Sequence, residues 1–281
     1  MRVATPRDRR RTRSLLGNTI AGVPRRDPNG WRSWRNDRDR RDAVRAVGRA
    51  PRRGEAGVSA LAARLELSKS AVHKHLKTLE QHGYVHNTDG TYRLGLKFLE
   101  YGGKVRDASR IYDLGRRKVS ELAAEIDELV ILSVREFDAG VFLYRENDQY
   151  NLKETIPLGN RFHLHQNGAG KAMLAELPDA EIDRIIGEGL PGSTPRTITD
   201  GAALWDEIEI IRDRGFAVNR GERDPEVSAI SAAVTDPTTD TVGAISVSLP
   251  TNVAAQEEFM ESYPEKITQT ASRLSLQLRH G

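Results

Sequence analysis

The sequence contains no cysteine among its 281 residues, which excludes disulfide bonds and thiolate metal sites. A chain without cysteine suits a reducing interior, so we expect a cytoplasmic protein. No apolar run approaches the roughly 20 residues that a membrane-spanning helix needs, so we expect no membrane partner. The N-terminus is rich in arginine and has no apolar core segment, which argues against a secretory signal.

Lysine and glutamate are absent from residues 1–53, which carry 17 arginines and five aspartates. The net charge of +3 therefore hides an asymmetry, because residues 106–281 are acidic. That acidic excess fits either a salt-rich cytoplasm or an ordinary solvated surface, and we favour the former. Residues 1–41 have an arginine-rich composition that predicts a disordered extension. This extension is interpreted either as a DNA-binding arm or as a segment that never folds. In the second case it would be translated from a start upstream of the natural one.

Helical periodicity begins at Val58, and apolar residues recur at helical spacing as far as Leu65. Ser59 is the predicted N-cap of this helix. A tight turn follows, and Ser68 is predicted to cap a second helix that ends at Gly83. The predicted buried stripe of the second helix comprises Val72, Leu76 and Leu79.

A hairpin is predicted next, within residues 83–95, GYVHNTDGTYRLG. Residues 87–90 form its turn, and the strand Thr91–Leu94 returns. Two helices with a short turn, followed by a hairpin, make a winged helix-turn-helix. We assign residues 42–95 to this domain.

One face of the second helix is cationic, with Lys69, His73 and Lys77 at i, i+4 and i+8 beside Ser70 and Lys74. A small, polar, cationic helix surface fits the major groove of double-stranded DNA, where it meets phosphates and base edges. The alternative is a solvated helix face, which the charge run alone would favour. The order of two helices and a hairpin decides for DNA. The predicted DNA contacts are Ser68, Lys69, Ser70, Ala71, His73, Lys74, Lys77, Thr91 and Arg93.

The rest of the chain alternates between helical and β-rich segments. A linker helix is predicted over residues 96–115, bent or broken at Gly102 and Gly103. Residues 116–281 then form a domain in which helices pack on an antiparallel sheet, so the fold class is α+β. Strands are predicted over residues 129–137, 140–146 and 241–249, and helices over 170–189, 202–214 and 253–279.

Three segments resemble the IclR-type transcriptional regulators of bacteria and archaea. They are LSKSAVHKHLKTLEQHGYV with YRLGLKFLEYG (67–102), HLHQNGAGKAMLAELP (163–178) and RGFAVNRGERDPEVSAISAAVTDPTTDTVGAISVS (214–248). We identify the chain with an archaeal-like member. The resemblance implies a winged helix-turn-helix, a linker helix and a C-terminal GAF-like effector-binding domain. It also implies a homodimer or homotetramer that binds operator DNA and responds to small organic acids or aromatic metabolites. The family's first amphipathic helix is poorly matched by DAVRAVGRAPRRGEA (42–56).

An effector site is implied by the same resemblance. Gly168, Ala169 and Gly170 would offer backbone N–H groups in a surface loop before a helix, which favours an effector with a carboxylate. Lys171 would add positive charge or point to solvent. Asn219 and Glu222 would make polar contacts, and the cup would be lined by Val227, Ala229, Ile230 and Ser246. The alternative is that these loops are turns in which glycine serves positive φ.

Other functions find little support in the sequence. The GAGK segment lacks the rest of a phosphate-binding loop, because His165 stands at the place of its first glycine and Ala172 at that of its Ser/Thr. The pair His163 and His165 lacks a third metal ligand. We therefore predict no catalytic residue, no metal and no cofactor, and no enzyme. The alternatives are a ligand-free GAF-like dimerisation platform on a DNA-binding module and, behind it, a small-molecule enzyme.

Overall fold

The structure is a computed structural model that describes residues 55–149, 152, 156–254 and 258–280, the last segment by backbone alone over 258–260. The predicted extension of residues 1–41 lies outside the described residues, and so does nearly all of the 42–56 segment. The chain divides between Gly95 and Leu96 into two compact units.

The first unit holds two helices and a three-stranded antiparallel sheet in the order β1-β3-β2. Its elements are β1 (Glu55–Gly57), α1 (Val58–Leu65), α2 (Lys69–Gln81), β2 (Val85–Thr88) and β3 (Thr91–Leu94). The core contains two residues from each helix and one from each of two strands: Leu61, Ala62, Val72, Leu76, Val85 and Tyr92. The predicted winged helix-turn-helix is confirmed, and β1 is an addition that the sequence did not indicate.

Helix capping in this unit follows the prediction at one helix and departs from it at the other. The N–H of Ala71 donates to Ser68 Oγ at 3.2 Å, which confirms the cap of α2. The prediction of Ser59 as the cap of α1 is wrong, because Gly57 occupies the N-cap and Ser59 lies in the first turn. Because β1 pairs with β3 as far as Gly57, the backbone is extended up to that residue. Helix α1 therefore begins at Val58, earlier than predicted.

The wing turn consists of Asp89 and Gly90, with φ of 51° and 81°. Positive φ at both central residues marks a type I′ turn, whose twist matches that of the flanking strands. The side chain of Asn87 accepts a hydrogen bond from the N–H of Gly90 at 2.9 Å and fixes the turn. The register of β2 and β3 follows, with Thr88 opposite Thr91.

The second unit begins with α3 (Lys97–Asp107) and α4 (Arg110–Ile126). Of the bend or break predicted at Gly102 and Gly103, the break is wrong, since α3 continues through both glycines. Glycine costs a helix about 1 kcal/mol relative to alanine but does not forbid it. The break comes at Ser109, whose hydroxyl accepts from the N–H of Tyr112 at 3.3 Å and caps α4.

A six-stranded antiparallel sheet forms the centre of this unit, in the order β6-β5-β4-β9-β8-β7. The strands are β4 (Leu129–Glu136), β5 (Ala139–Glu146), β6 (Arg161–His163), β7 (Ala217–Arg220), β8 (Val227–Asp236) and β9 (Thr241–Pro250). The later helices are α5 (Gly168–Ala175), α6 (Asp179–Gly187), α7 (Gly201–Arg214), α8 (Thr251–Ala254) and α9 (Glu258–His280). The α+β prediction with an antiparallel sheet flanked by helices is confirmed.

The two faces of the sheet pack against different helices. One face joins α5, α6 and α7 in a core that includes Leu129 and Ile131. The other face joins α4 and α9 and includes Val130 and Leu132. Successive residues of a strand point to opposite faces, so the register decides which residues meet α5. None of the helices in the described ranges is long and apolar enough to cross a membrane.

Candidate DNA-binding face and effector pocket

The predicted DNA contacts lie on α2, on the residue before it and on β3. Those on and before α2 are exposed, except for the half-buried Ala71, while Val72 and Leu76 are buried. In β3, Tyr92 is buried between the exposed Thr91 and Arg93, because side chains alternate along a strand. The structure thus separates the polar contacts from the core as predicted.

The lysines and the arginine among the predicted contacts are available to bind a polyanion. No ion pair is found for Lys69, Lys74, Lys77 or Arg93 within the described residues. An exposed cation with no carboxylate beside it binds a DNA phosphate without first breaking an existing pair.

The second unit contains a pocket between the sheet and the first turn of α5. It holds about 40 Å³ of cavity space and opens to solvent, with about 410 Å³ of empty space when the solvent at its mouth is counted. Six of the nine predicted effector contacts line it: Gly168, Ala169, Asn219, Val227, Ala229 and Ser246. Gly170, Glu222 and Ile230 do not line it.

Ile230 lies on the wrong face of the sheet for the predicted contact. Ala229 and Ser231 point to the pocket, and Ile230 between them is fully buried in the core on the α4 and α9 side. The period of two along β8 makes this unavoidable. The prediction placed two consecutive strand residues, Ala229 and Ile230, in one cup, which a strand does not allow.

The segment from Gly168 to Gly170 is the buried first turn of α5, not the expected surface loop. Asn167 caps the helix by accepting a hydrogen bond from the N–H of Gly170 at 2.8 Å. Close packing requires the glycine, because a Cβ at Gly170 would lie 2.1 Å from the carbonyl oxygen of Leu164. Gly168 and Ala169 line the pocket, and among the described residues their N–H groups have no acceptor. Helix N-termini with free N–H donors attract anions.

Arg223 is a pocket residue that the sequence reasoning missed. Its guanidinium carbon lies 5.2 Å from the ring centroid of Phe142, another lining residue. Burial lowers the pKa of Arg223 and the neighbouring Asp224 raises it in part, yet arginine stays cationic. A signal was present in the sequence, since Arg223 stands between two predicted contacts, Asn219 and Val227.

The remaining lining combines an apolar wall, a hydroxyl-bearing floor and one carboxylate, that of Asp224. Ser231 and Ser246 face each other across β8 and β9 and share a hydrogen bond of 2.8 Å. Ser248 lies further along the same face of β9. The wall and cap were also not predicted: Ile131, Phe142, Ile156 and Asn167.

Lys171 is buried behind the pocket, so the expectation that it points to solvent is wrong. Its side chain is only 1% exposed. The ammonium group donates to Glu222 Oε1 at 2.9 Å, to Glu207 Oε1 at 3.2 Å and to the carbonyl oxygen of Val218 at 2.8 Å. Glu222 is thereby occupied with Lys171 instead of facing the pocket.

The histidine pair gives no metal site. His165 is buried, and its Nε2 lies 3.0 Å from the carbonyl oxygen of Pro191. Burial lowers the pKa of His165, and His163 adds to that effect. No group of three or more potential metal ligands occurs in the part of the chain that the structure describes.

Comparison with known proteins matches both units to one family. The family model described as "Bacterial transcriptional regulator IclR C-terminal" matches residues 104–276, and the "IclR helix-turn-helix domain" matches residues 44–89. A probable HTH-type transcriptional regulator, ArcR of Halobacterium salinarum, is 30% identical over 78% of this chain and 85% of its own. The regulator KdgR of Escherichia coli is 29% identical over 80% of this chain and 86% of its own.

Solved structures agree on the fold. The IclR protein of Thermotoga maritima superposes with a TM-score of 0.72 and 26% identity, covering 86% of this chain and 98% of its own. An IclR homologue of Microbacterium hydrocarbonoxydans, complexed with 4-hydroxybenzoate, has a TM-score of 0.71 at 20% identity, covering 86% and 99%. The family models match residues in both units, and the C-terminal one is described as a transcriptional regulator. The chain therefore belongs to the IclR family and is a DNA-binding transcriptional regulator with a C-terminal effector-binding domain.

Proposed function

We propose that the pocket of the second unit binds a small organic acid and that this effector changes the affinity of the chain for its operator. The observation that carries the proposal is the pair of free N–H groups at Gly168 and Ala169, next to Arg223 in the same pocket. Two backbone donors and a guanidinium, set against the single carboxylate of Asp224 in the same lining, favour an anion. A carboxylate is planar and accepts from both kinds of donor.

The apolar wall supports an acid with a hydrophobic body. Ile131, Phe142 and Ile156 offer no hydrogen bonds and favour a hydrocarbon chain or ring. The floor serines offer hydroxyls that donate to or accept from a polar substituent on that body. The complex of the Microbacterium homologue with 4-hydroxybenzoate makes this compound a suitable first probe.

Calorimetry of the full chain with 4-hydroxybenzoate tests the carboxylate. The matched neutral compound, 4-hydroxybenzamide, keeps the ring and the hydroxyl. We expect the acid to bind about 10-fold to 100-fold more tightly than the amide, because hydrogen bonds to charged groups are worth about 1.5–3 kcal/mol. Equal binding of acid and amide would refute the carboxylate, and binding of neither would refute this ligand class.

The location is tested by Ala169→Leu, which fills the pocket beside the free N–H groups. Ala232→Leu is the matched control, because Ala232 is equally buried but lies in the core on the other face of the sheet. The Ala169 variant should keep its operator affinity but lose its response to the acid, whereas the control should keep both. An Ala169 variant that binds the acid as tightly as the parent would place the effector elsewhere.

The proposal also assigns the operator contacts and the assembly. The face formed by α2 and the wing reads double-stranded DNA through the nine residues predicted from the sequence, with the lysines on phosphates. A cytoplasmic homodimer or homotetramer presents two or more such faces to a repeated half-site. Sedimentation of the full chain with and without operator measures the assembly state.

A further inference from the structure

Lys171 and Glu222 are the most deeply buried ion pair near the pocket, and neither contributes to its lining. Lys171 uses all three of its ammonium hydrogens on Glu222, Glu207 and the carbonyl oxygen of Val218. A buried charge with every donor satisfied holds a single geometry, since any movement leaves a costly unpaired group.

The Lys171–Glu222 pair connects α5, which supplies the free N–H groups of the pocket, with the segment that supplies Arg223. Lys171 lies one helical turn after Gly168, in α5. Glu222 stands directly before Arg223 in a segment of residues 221–224 that we term the pocket loop. The Lys171–Glu222 contact of 2.9 Å therefore ties α5, with its free N–H groups, to the loop backbone that carries Arg223.

The backbone of the pocket loop is held by several neutral hydrogen bonds as well. Asn219 accepts from the N–H of Glu222 at 3.0 Å and donates to the carbonyl oxygen of Val227 at 2.9 Å. Thr194 donates to the carbonyl oxygen of Gly221 at 2.8 Å. These bonds fix the start of the loop, and the ion pair is the side-chain link between the loop and α5.

Resting on the proposed function, we propose that Lys171 and Glu222 are positioning residues of the effector site. They do not touch the effector; they hold Arg223 in register with the first turn of α5, so that one carboxylate reaches both. This inference assigns Glu222 a role different from the direct effector contact predicted from the sequence.

The test variant is Glu222→Gln, which keeps the shape and removes the charge. Lys171 then retains Glu207 and Val218, so the fold should survive. Asp236→Asn is the matched control, because Asp236 is a buried carboxylate of the same unit, paired with Arg110 at 3.3 Å on the other side of the sheet. Glu207→Gln is a second control that removes a partner of Lys171 without touching the pocket loop.

Hydrogen exchange of the apo chain reports on the loop without any ligand. We expect Glu222→Gln to speed exchange in the pocket loop, residues 221–224, by about 10-fold, with little change in α7, because the loop loses its charged link to α5. The two control variants should leave that segment unchanged. Unchanged exchange in the Glu222 variant would overturn the inference, whatever the pocket binds.

Calorimetry with 4-hydroxybenzoate then distinguishes positioning from direct contact. Glu222→Gln should weaken binding by about 10-fold in the parent but by less than about 2-fold in an Arg223→Met background, since a positioning residue acts through its target. Equal losses in both backgrounds would show that Glu222 touches the effector and would overturn the inference. Failure of the parent to bind would instead refute the proposed function and leave the exchange result to decide the positioning role.

Discussion

The two units of this regulator place their charged residues in opposite ways. In the first unit the lysines of α2 are exposed and unpaired among the described residues. In the second unit a lysine, Lys171, is buried against two glutamates. Lysine is thus available to bind an external polyanion in the first unit, whereas in the second unit it holds neighbouring groups in place. A lysine count alone does not distinguish these roles, whereas burial does.

The largest expected difference is between Lys171→Met and Lys74→Met. Removing Lys171 leaves Glu222 buried without its cation, whereas the half-buried Glu207 keeps Arg214 at 3.5 Å. We expect a loss of about 3–5 kcal/mol in the free energy of unfolding. Lys74 is exposed, so its loss should change stability by no more than about 0.5 kcal/mol. Urea unfolding followed by circular dichroism measures both. Equal changes would remove the contrast between the units.

A smaller effect is expected for glycine. Gly170→Ala brings a Cβ within 2.1 Å of the backbone of Leu164 and should destabilise the chain by about 1–3 kcal/mol. Gly103 lies in α3 with open space around its Cβ position, and Gly103→Ala should stabilise by up to about 1 kcal/mol. Thermal unfolding of both variants checks the opposite signs. Destabilisation by Gly103→Ala would indicate that a partner covers that side of α3.

On the DNA side, we expect a change in salt dependence. Lys74→Ala should reduce the slope of log affinity against log salt by about one unit if Lys74 neutralises one phosphate. Lys266→Ala is the control, because Lys266 is paired with Glu125 at 2.9 Å in the second unit. Fluorescence anisotropy with an operator selected from random duplexes provides the slopes. An unchanged slope for Lys74→Ala would exclude a phosphate contact.

The smallest effect concerns pH. Burial lowers the pKa of His165 in the folded chain, so the unfolded chain binds a proton first as the pH falls. Stability should therefore drop as the pH falls below about 6.5, the unperturbed value for histidine, and should be restored as it rises. His165→Gln keeps a donor for the carbonyl oxygen of Pro191 and should flatten this dependence. A parent and variant with identical pH profiles would contradict the assignment.

More of the first unit than of the second could be predicted from the sequence, because the predicted DNA contacts of the first unit lie close together along the chain. The spacing of Lys69, His73 and Lys77 on one helix already separates them from Val72 and Leu76, and no distant contact is needed. The pocket depends on which strand residues face α5, and that follows from pairing between β4, β8 and β9. The wrong placement of Ile230 arises there, whereas Arg223 lies in the loop between β7 and β8 and was missed although it stands between two predicted contacts. The family resemblance identified the segments that form the pocket, but only the strand register shows which of their residues face it.

The wing turn of Asp89 and Gly90 limits which insertions β3 can accept. Because the two-residue turn locks β2 to β3, inserting one residue into β3 would exchange the environments of Tyr92 and Arg93, burying a charge and exposing the core. Insertion of two residues keeps the alternation and merely lengthens the hairpin. Mutation, whether natural or engineered, can therefore lengthen this wing by pairs of residues, whereas an odd-numbered insertion would destabilise the unit.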